Sequence, residues 1–206
     1  LRLIAMGSLP FRESEAMAVL VHPLTSEPLL AVVFAAALTW ASHSSVAVVL
    51  LILSLAGMQV LNVQLAMTMV LGANLGGALA AVGLTAKALP AVRRVPLGNL
   101  LMRMIGVFVV LPFVPYLQPY LAVMGDTPAR LLANFHTGFN LALVVVFLPA
   151  LALVDWAARR IAPDRPATDD PGSPRYLDEG ALDTPSVALT GAARETLRMG
   201  AAVKSM

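Results

Sequence analysis

The sequence contains no cysteine, which excludes disulfides and thiolate-bound metals and leaves the redox compartment open. Charge is scarce too: Asp, Glu, Lys and Arg make up 13% of the chain, against roughly 25% in an average soluble domain. The scarcity is concentrated, because none of the four occurs from Pro28 to Ala86, and 14 of the 26 charged residues lie from Arg159 onward. Also missing are paired carboxylates inside the apolar segments, a nucleophile next to a base, a metal-binding cluster and a phosphate-gripping glycine loop. The sequence therefore does not read as an enzyme, and no cofactor or resident metal is expected. A formal charge of +2 without a basic patch excludes nucleic acid as a partner. The start has no basic n-region leading into an apolar core and a small-residue cleavage site, so no signal peptide is read. Because the first residue is Leu1 rather than Met, an N-terminal truncation is expected.

What is present is apolar. Hydrophobic residues are 58% of the chain and the mean hydropathy is +0.79, which places it among all-α membrane proteins with the lipid bilayer as its surroundings. Residues 1–28 are mixed and read as an interfacial or connecting segment. Residues 29–158 read as the membrane part, 159–183 as a cytoplasmic linker rich in proline and aspartate, and 184–206 as the first helix of a soluble helical domain cut off at Met206. Thr184 and Pro185 serve there as N-cap and first helical residue.

Two polar islands interrupt the uncharged run: Ser42-His43-Ser44-Ser45 and Gly72-Ala73-Asn74-Leu75-Gly76-Gly77. One straight helix over 29–56 would measure about 42 Å, more than the ~30 Å hydrocarbon core requires. A re-entrant helical hairpin with its tip at the serines explains both the length and the polar middle, and is favoured over a tilted helix whose serines bond their own backbone. Gly72-x-x-x-Gly76 has the close-packing spacing of membrane helices. Asn74 between the glycines turns the reading toward a second helix break. Further spans are expected over 95–117 and 131–154. Lys87, Arg93 and Arg94 form a basic loop, and Arg159 and Arg160 a second cluster. The positive-inside rule puts both in the cytoplasm and loop 118–129 outside.

The polar groups left at membrane depth are Thr39, Ser42, Ser44, Ser45, Asn74, Thr137 and Asn140, with His43 and His136 beside them. Hydroxyl, amide and carbonyl oxygens suit a hard cation such as sodium. The N-terminal ends of broken helices suit an anion. The set points to a solute transporter without naming the solute. Each histidine reads either as a strut between helices or as a group lining the site.

Three motifs carry a family resemblance. His43-Ser44-Ser45-Val46-Ala47 resembles the Gln-Ser-Ser-Ser-Ala signature of the sodium/phosphate cotransporters. Gly72-Ala73-Asn74-Leu75-Gly76-Gly77 is similar to their Gly-Ala-Asn-Ile-Gly-Thr-Thr segment, and Phe135-His136-Thr137-Gly138-Phe139-Asn140 to their His-Thr-x-Phe-Asn element. The tail resembles the start of the PhoU-like domain of bacterial members. The resemblance implies an architecture of two inverted repeats, of which this chain carries the second. A missing N-terminal repeat or a second protomer would then complete the site. It also implies a site for phosphate and sodium at Ser42, His43, Ser44, Ser45, Asn74 and Gly76, with sodium at Ser44, Ser45 and Asn74 and with Thr39, His136, Thr137 and Asn140 in support. The departures are His43 for glutamine, Val46 for the third serine, and Gly77 and Ala78 for the paired threonines. The expected function is sodium-coupled phosphate transport in a bacterial inner membrane, with the tail cytoplasmic. A proton-coupled carrier using His43, an exporter or a carrier of another anion, and a membrane-anchored phosphate regulator are the alternatives.

Overall fold

The computed structural model describes residues 15–164 and 173–204. The expected connecting residues 1–14 and linker residues 165–172 lie outside them. Every regular element among the described residues is helical, and the chain divides into two compact units, 1–164 and 165–206.

In the first unit, α1 (Glu15–Ser26) leads into a helical hairpin, α2 (Pro28–Ser42) and α3 (Ser45–Gly57). The tip is set by two residues. His43 adopts a left-handed conformation, φ 51°, and its N–H bonds the Trp40 carbonyl, ending α2. Ser44 is extended, and its Oγ accepts from the Ala47 N–H at 3.2 Å, which starts α3. With 15 and 13 residues, the two arms reach only about 22 and 20 Å at 1.5 Å per residue, short of a ~30 Å hydrocarbon core. Neither arm is long enough to span alone, and the chain breaks at the polar island between them.

Next comes α4 (Val63–Leu84), capped by Asn62, whose Oδ1 accepts from the Leu65 N–H at 2.7 Å. The second break expected at 72–77 does not occur: α4 is one uninterrupted helix through both glycines and Asn74. The glycines are used for packing instead. A Cβ at Gly72 would lie 2.3 Å from the Val32 carbonyl oxygen, and one at Gly76 2.3 Å from that of Ala36. Backbone-to-backbone contact between α2 and α4 is therefore possible only without side chains at these two positions. Glycine's low helix propensity, about 1 kcal/mol against alanine, is outweighed by this contact.

Three segments are long and apolar enough to cross a membrane: Val63–Leu84, Pro90–Ala122 and Pro128–Phe147. The second consists of α5 (Pro90–Val110), a 3-10 turn (Leu111–Phe113) and α6 (Val114–Ala122), the change of helix coinciding with Pro112 and Pro115. Arg93 and Arg94, expected in a loop, instead belong to the start of α5, which Pro90 opens. The expected span 131–154 is also divided. α7 (Pro128–Phe147) stops before a turn containing Pro149, and α8 (Leu151–Ile161) follows. α8 is amphipathic. Asp155 and Arg159 pair at 2.8 Å along one face, and the Arg160 guanidinium lies 4.9 Å above the Trp156 ring, an arrangement suited to a helix lying in the bilayer interface. Outward-facing Val33, Phe34, Leu50, Phe108, Val144 and Val145 give the unit an apolar exterior.

In the second unit α9 (Pro185–Lys204) begins at Thr184, whose carbonyl accepts from the N–H groups of Val187 and Ala188. Residues 173–183, expected as linker, lie along this helix. The buried Glu195 carboxylate accepts from the backbone N–H groups of Arg175 (2.9 Å) and Tyr176 (3.0 Å) and pairs with Arg198. The Arg198 hydrogen bond first, then the two backbone N–H groups, pull the Glu195 carboxyl from 4.5 to about 2. A depressed carboxylate pKa stabilises above the unfolded value and loses that contribution as pH falls through the folded one. The Arg175 and Tyr176 amides should thus stay protected from hydrogen exchange above pH 4.5 and lose protection between pH 4.5 and about 2. A Glu195→Ala variant, which has no acceptor, should lose it at every pH.

Candidate functional site

Helical geometry directs the faces of α4. Gly72 and Gly76 point at α2, while Asn74, about 160° round the helix from each of them at 100° per residue, points at α5 and α7. Asn74 is 2% exposed and is the hub of a polar network between three helices. Its Oδ1 accepts from Arg103 Nη1 and, at 3.2 Å, from Asn140 Nδ2. Its Nδ2 donates to the Val70 carbonyl at 2.9 Å and faces His136 Nδ1 at 3.2 Å. The orientation of this amide follows from chemistry: Arg103 can only donate, so the oxygen must face it and the NH2 must face the imidazole. His136 Nδ1 is then the acceptor, and the ring proton sits on Nε2. Asn140 Nδ2 also donates to the His136 carbonyl at 2.8 Å, and Asn99 Oδ1 accepts from Arg103 Nε at 3.1 Å.

Arg103 has no carboxylate partner among the described residues. The sequence offers none nearby: between Pro28 and Val154 the single acidic residue is Asp126, in the turn between α6 and α7. Of the five guanidinium N–H donors, Asn74 and Asn99 engage two. The side chain borders a cavity of about 250 Å³ whose other lining includes Asn99, Asn140, Met102, Leu143 and Phe147. Such a pocket offers donors and positive charge and very little that could bind a cation.

The structure brings together three of the residues expected from sequence, Asn74, His136 and Asn140. The hairpin tip stands one turn along α4: a Cβ at Gly77 would lie 3.2 Å from that of Ser45. Ser44 Oγ caps α3, Ser42 Oγ donates to the Thr39 carbonyl at 3.2 Å, and His43 is exposed. Buried Thr39 donates to the Ala35 carbonyl at 2.8 Å and packs on Gly76, so both belong to the α2–α4 contact. Thr137 is exposed, turned away from the network that its neighbour His136 joins. Arg103 was not singled out from the sequence. Its signal was available in the Asn99–Arg103 spacing of four and in the absence of acidic residues around it.

The sequence profile of the Na+/Pi-cotransporter family matches residues 8–138. The chain belongs to that family. Over 206 residues, all of this chain, it is 36% identical to YjbB of Escherichia coli (strain K12) and 36% identical to YjbB of Salmonella typhimurium, proteins named for inorganic phosphate export. It is 28% identical to an uncharacterized protein, YqeW of Bacillus subtilis, over 112 residues, 54% of this chain and 36% of that protein. The chain spans 38% of the length of the YjbB proteins. No solved structure matches it. The Na+/Pi-cotransporter match takes in the hairpin tip, Asn74, Arg103 and His136, and stops just short of Asn140. The family is one of transporters rather than enzymes.

Proposed function

We propose that the protein carries inorganic phosphate across the membrane, and that these residues form one repeat of the transporter, with the anion held at Arg103. The observation that carries this reading is the Arg103 guanidinium, fixed by Asn74 and Asn99 at the edge of a cavity and without a carboxylate partner among the described residues. An unpaired charge inside a membrane protein costs several kcal/mol and marks a pathway for a charged solute. A phosphate oxyanion supplies the missing charge and fits the planar fork of donors that arginine presents. The His136 Nε2–H is a further donor on the same network.

Sodium is the coupled ion suggested by the family and by the hydroxyls of Ser42, Ser44 and Ser45, which stand with the free carbonyl end of α2 one turn from Asn74. The basic side, with Lys87, Arg93, Arg159 and Arg160, is assigned to the cytoplasm of a bacterial inner membrane, with the tail unit as the start of a PhoU-like domain there. A second reading is favoured by Val46, Gly77 and Ala78, which offer no side-chain oxygen where the family resemblance calls for Ser, Thr and Thr, and by the export in the relatives' names. An inward sodium gradient drives a symporter inward. A membrane potential negative inside drives an anion outward, by about 2.3 kcal/mol per charge per 100 mV. Phosphate flux in proteoliposomes with and without a sodium gradient separates the two, and absence of flux in both arms favours a regulator instead. Because His43 terminates α2 in an exposed, left-handed position, His43→Gln should retain flux at fixed sodium and lose no pH dependence. Flux that tracks pH and disappears in this variant would assign coupling to a proton at His43.

A further inference from the structure

We infer that the cleft between α5 and α8 is the anion's access route from the basic side of the membrane, and that Arg94 is a second anion-binding position on it, held by Asp164 until phosphate displaces that carboxylate. The inference rests on the phosphate reading of Arg103.

The cavity at Arg103 does not end blindly. A second cavity of about 290 Å³, lined by Arg94, Val95, Gly98, Val154 and Asp155 among others, shares Asn99, Met102 and Leu151 with the first. The two adjoin along α5, with Arg103 on one and Arg94 on the other, nine residues apart and about 13.5 Å along the helix axis. Asn99 lies between them, its Oδ1 accepting from Arg103.

The groove is narrowed where α8 crosses α5. A Cβ at Gly98 would lie 3.0 Å from Val154 Cγ1, so the valine sits directly on the glycine. α8 leaves α7 through the Pro149 turn, and its far end is tied to Arg94. Arg94 Nε donates to the Ala162 carbonyl at 3.0 Å, and Nη2 to Asp164 Oδ1 at 2.6 Å. The two sides of this tie are unequal: the Arg94 side chain is 9% exposed and that of Asp164 75% exposed. A carboxylate open to solvent on a sheltered guanidinium occupies the donors that a phosphate oxygen would use. An exposed carboxylate is only weakly held, so phosphate arriving from solvent can exchange with it. Arg94 keeps its bond to the Ala162 carbonyl through the exchange, so the end of α8 stays tied while phosphate occupies the outer donors and closes the groove to other anions.

The absence of cysteine in this chain allows a direct test in the natural full-length protein, with any cysteine outside these residues replaced. Met102→Cys places a thiol on the wall common to both cavities. It is labelled with an anionic, membrane-impermeant methanethiosulfonate applied from the basic side of oriented vesicles. Labelling should be about three- to fivefold faster with Asp164→Asn, as expected for loss of an exposed ion pair, faster also with Val154→Ala, and slowed by inorganic phosphate. Labelling unchanged by both substitutions overturns the route, even in a protein that moves phosphate. Labelling that accelerates but ignores phosphate upholds the route and overturns phosphate as its traffic. The readout needs no transport, so the two failures remain distinct.

Discussion

Arg103→Met is expected to reduce phosphate flux at least about thirtyfold without unfolding the protein. Truncating one partner of a sheltered, hydrogen-bonded charge pair costs about 2 kcal/mol or more, and 2 kcal/mol corresponds to that factor. The fold should survive because the network has reserves. Asn74 Oδ1 keeps the Asn140 donor, and its Nδ2 keeps the Val70 carbonyl and His136, so no buried amide atom is left unpartnered. Methionine fills much of the arginine's volume and removes a charge without a carboxylate partner among the described residues, so thermal stability in detergent should hold or rise. Arg103→Lys retains the charge but not the planar fork and should fall between the two. The combination of lost flux and unchanged stability distinguishes a ligand-holding arginine from a structural one. A strut would show the reverse.

The second large effect is structural. Gly76→Ala should lower stability by about 1–3 kcal/mol or more, read as a melting temperature lower by several degrees, on the order of 2–4 °C per kcal/mol at this chain length. The added Cβ would stand 2.3 Å from the Ala36 carbonyl oxygen and 2.7 Å from Thr39 Cβ. Backbone cannot turn aside as a flexible side chain can, so α2 must move off α4 and carry the hairpin tip with it. Phosphate flux should therefore fall as well, although Gly76 itself is buried in the helix contact. Gly138→Ala is the contrast. Nothing lies within 4 Å of its added Cβ, and a mid-helix alanine gains up to about 1 kcal/mol over glycine. Equal effects at the two positions would refute the assignment of Gly76 to packing.

The same glycines show where the sequence could and could not be read. The hairpin was legible because its cause is local: an apolar stretch too long for one crossing, with a polar island in its middle. The continuity of α4 was not, because glycine and asparagine weaken a helix in isolation. What overrides them is the α2 backbone lying against Gly72 and Gly76, and helices α5 and α7 offering partners to Asn74. Those contacts come from residues 29 to 66 positions away in the chain, as the Arg103 and Asn140 bonds to Asn74 illustrate. Arg103 was set aside for the same reason: near a span end it looks like a side chain reaching for water, until the fold directs it at Asn74. The division of the last span is a different case. Pro149 was visible in the sequence, and the amphipathic pattern of 151–161, with Asp155 four residues before Arg159, already described an interfacial helix. His136 and Asn140 meet because a spacing of four puts them on one helix face; Thr137, named as a polar group at membrane depth, is exposed and faces away from them.

The central claim is that Arg103 holds phosphate during its passage across the membrane. It is tested most directly by radiolabelled phosphate counterflow into phosphate-loaded proteoliposomes containing the natural full-length protein or its Arg103→Met variant. The account predicts transient accumulation of label with the natural protein and about thirtyfold slower accumulation with the variant. Label entering no faster than into protein-free liposomes, or equally fast with both proteins, would contradict it.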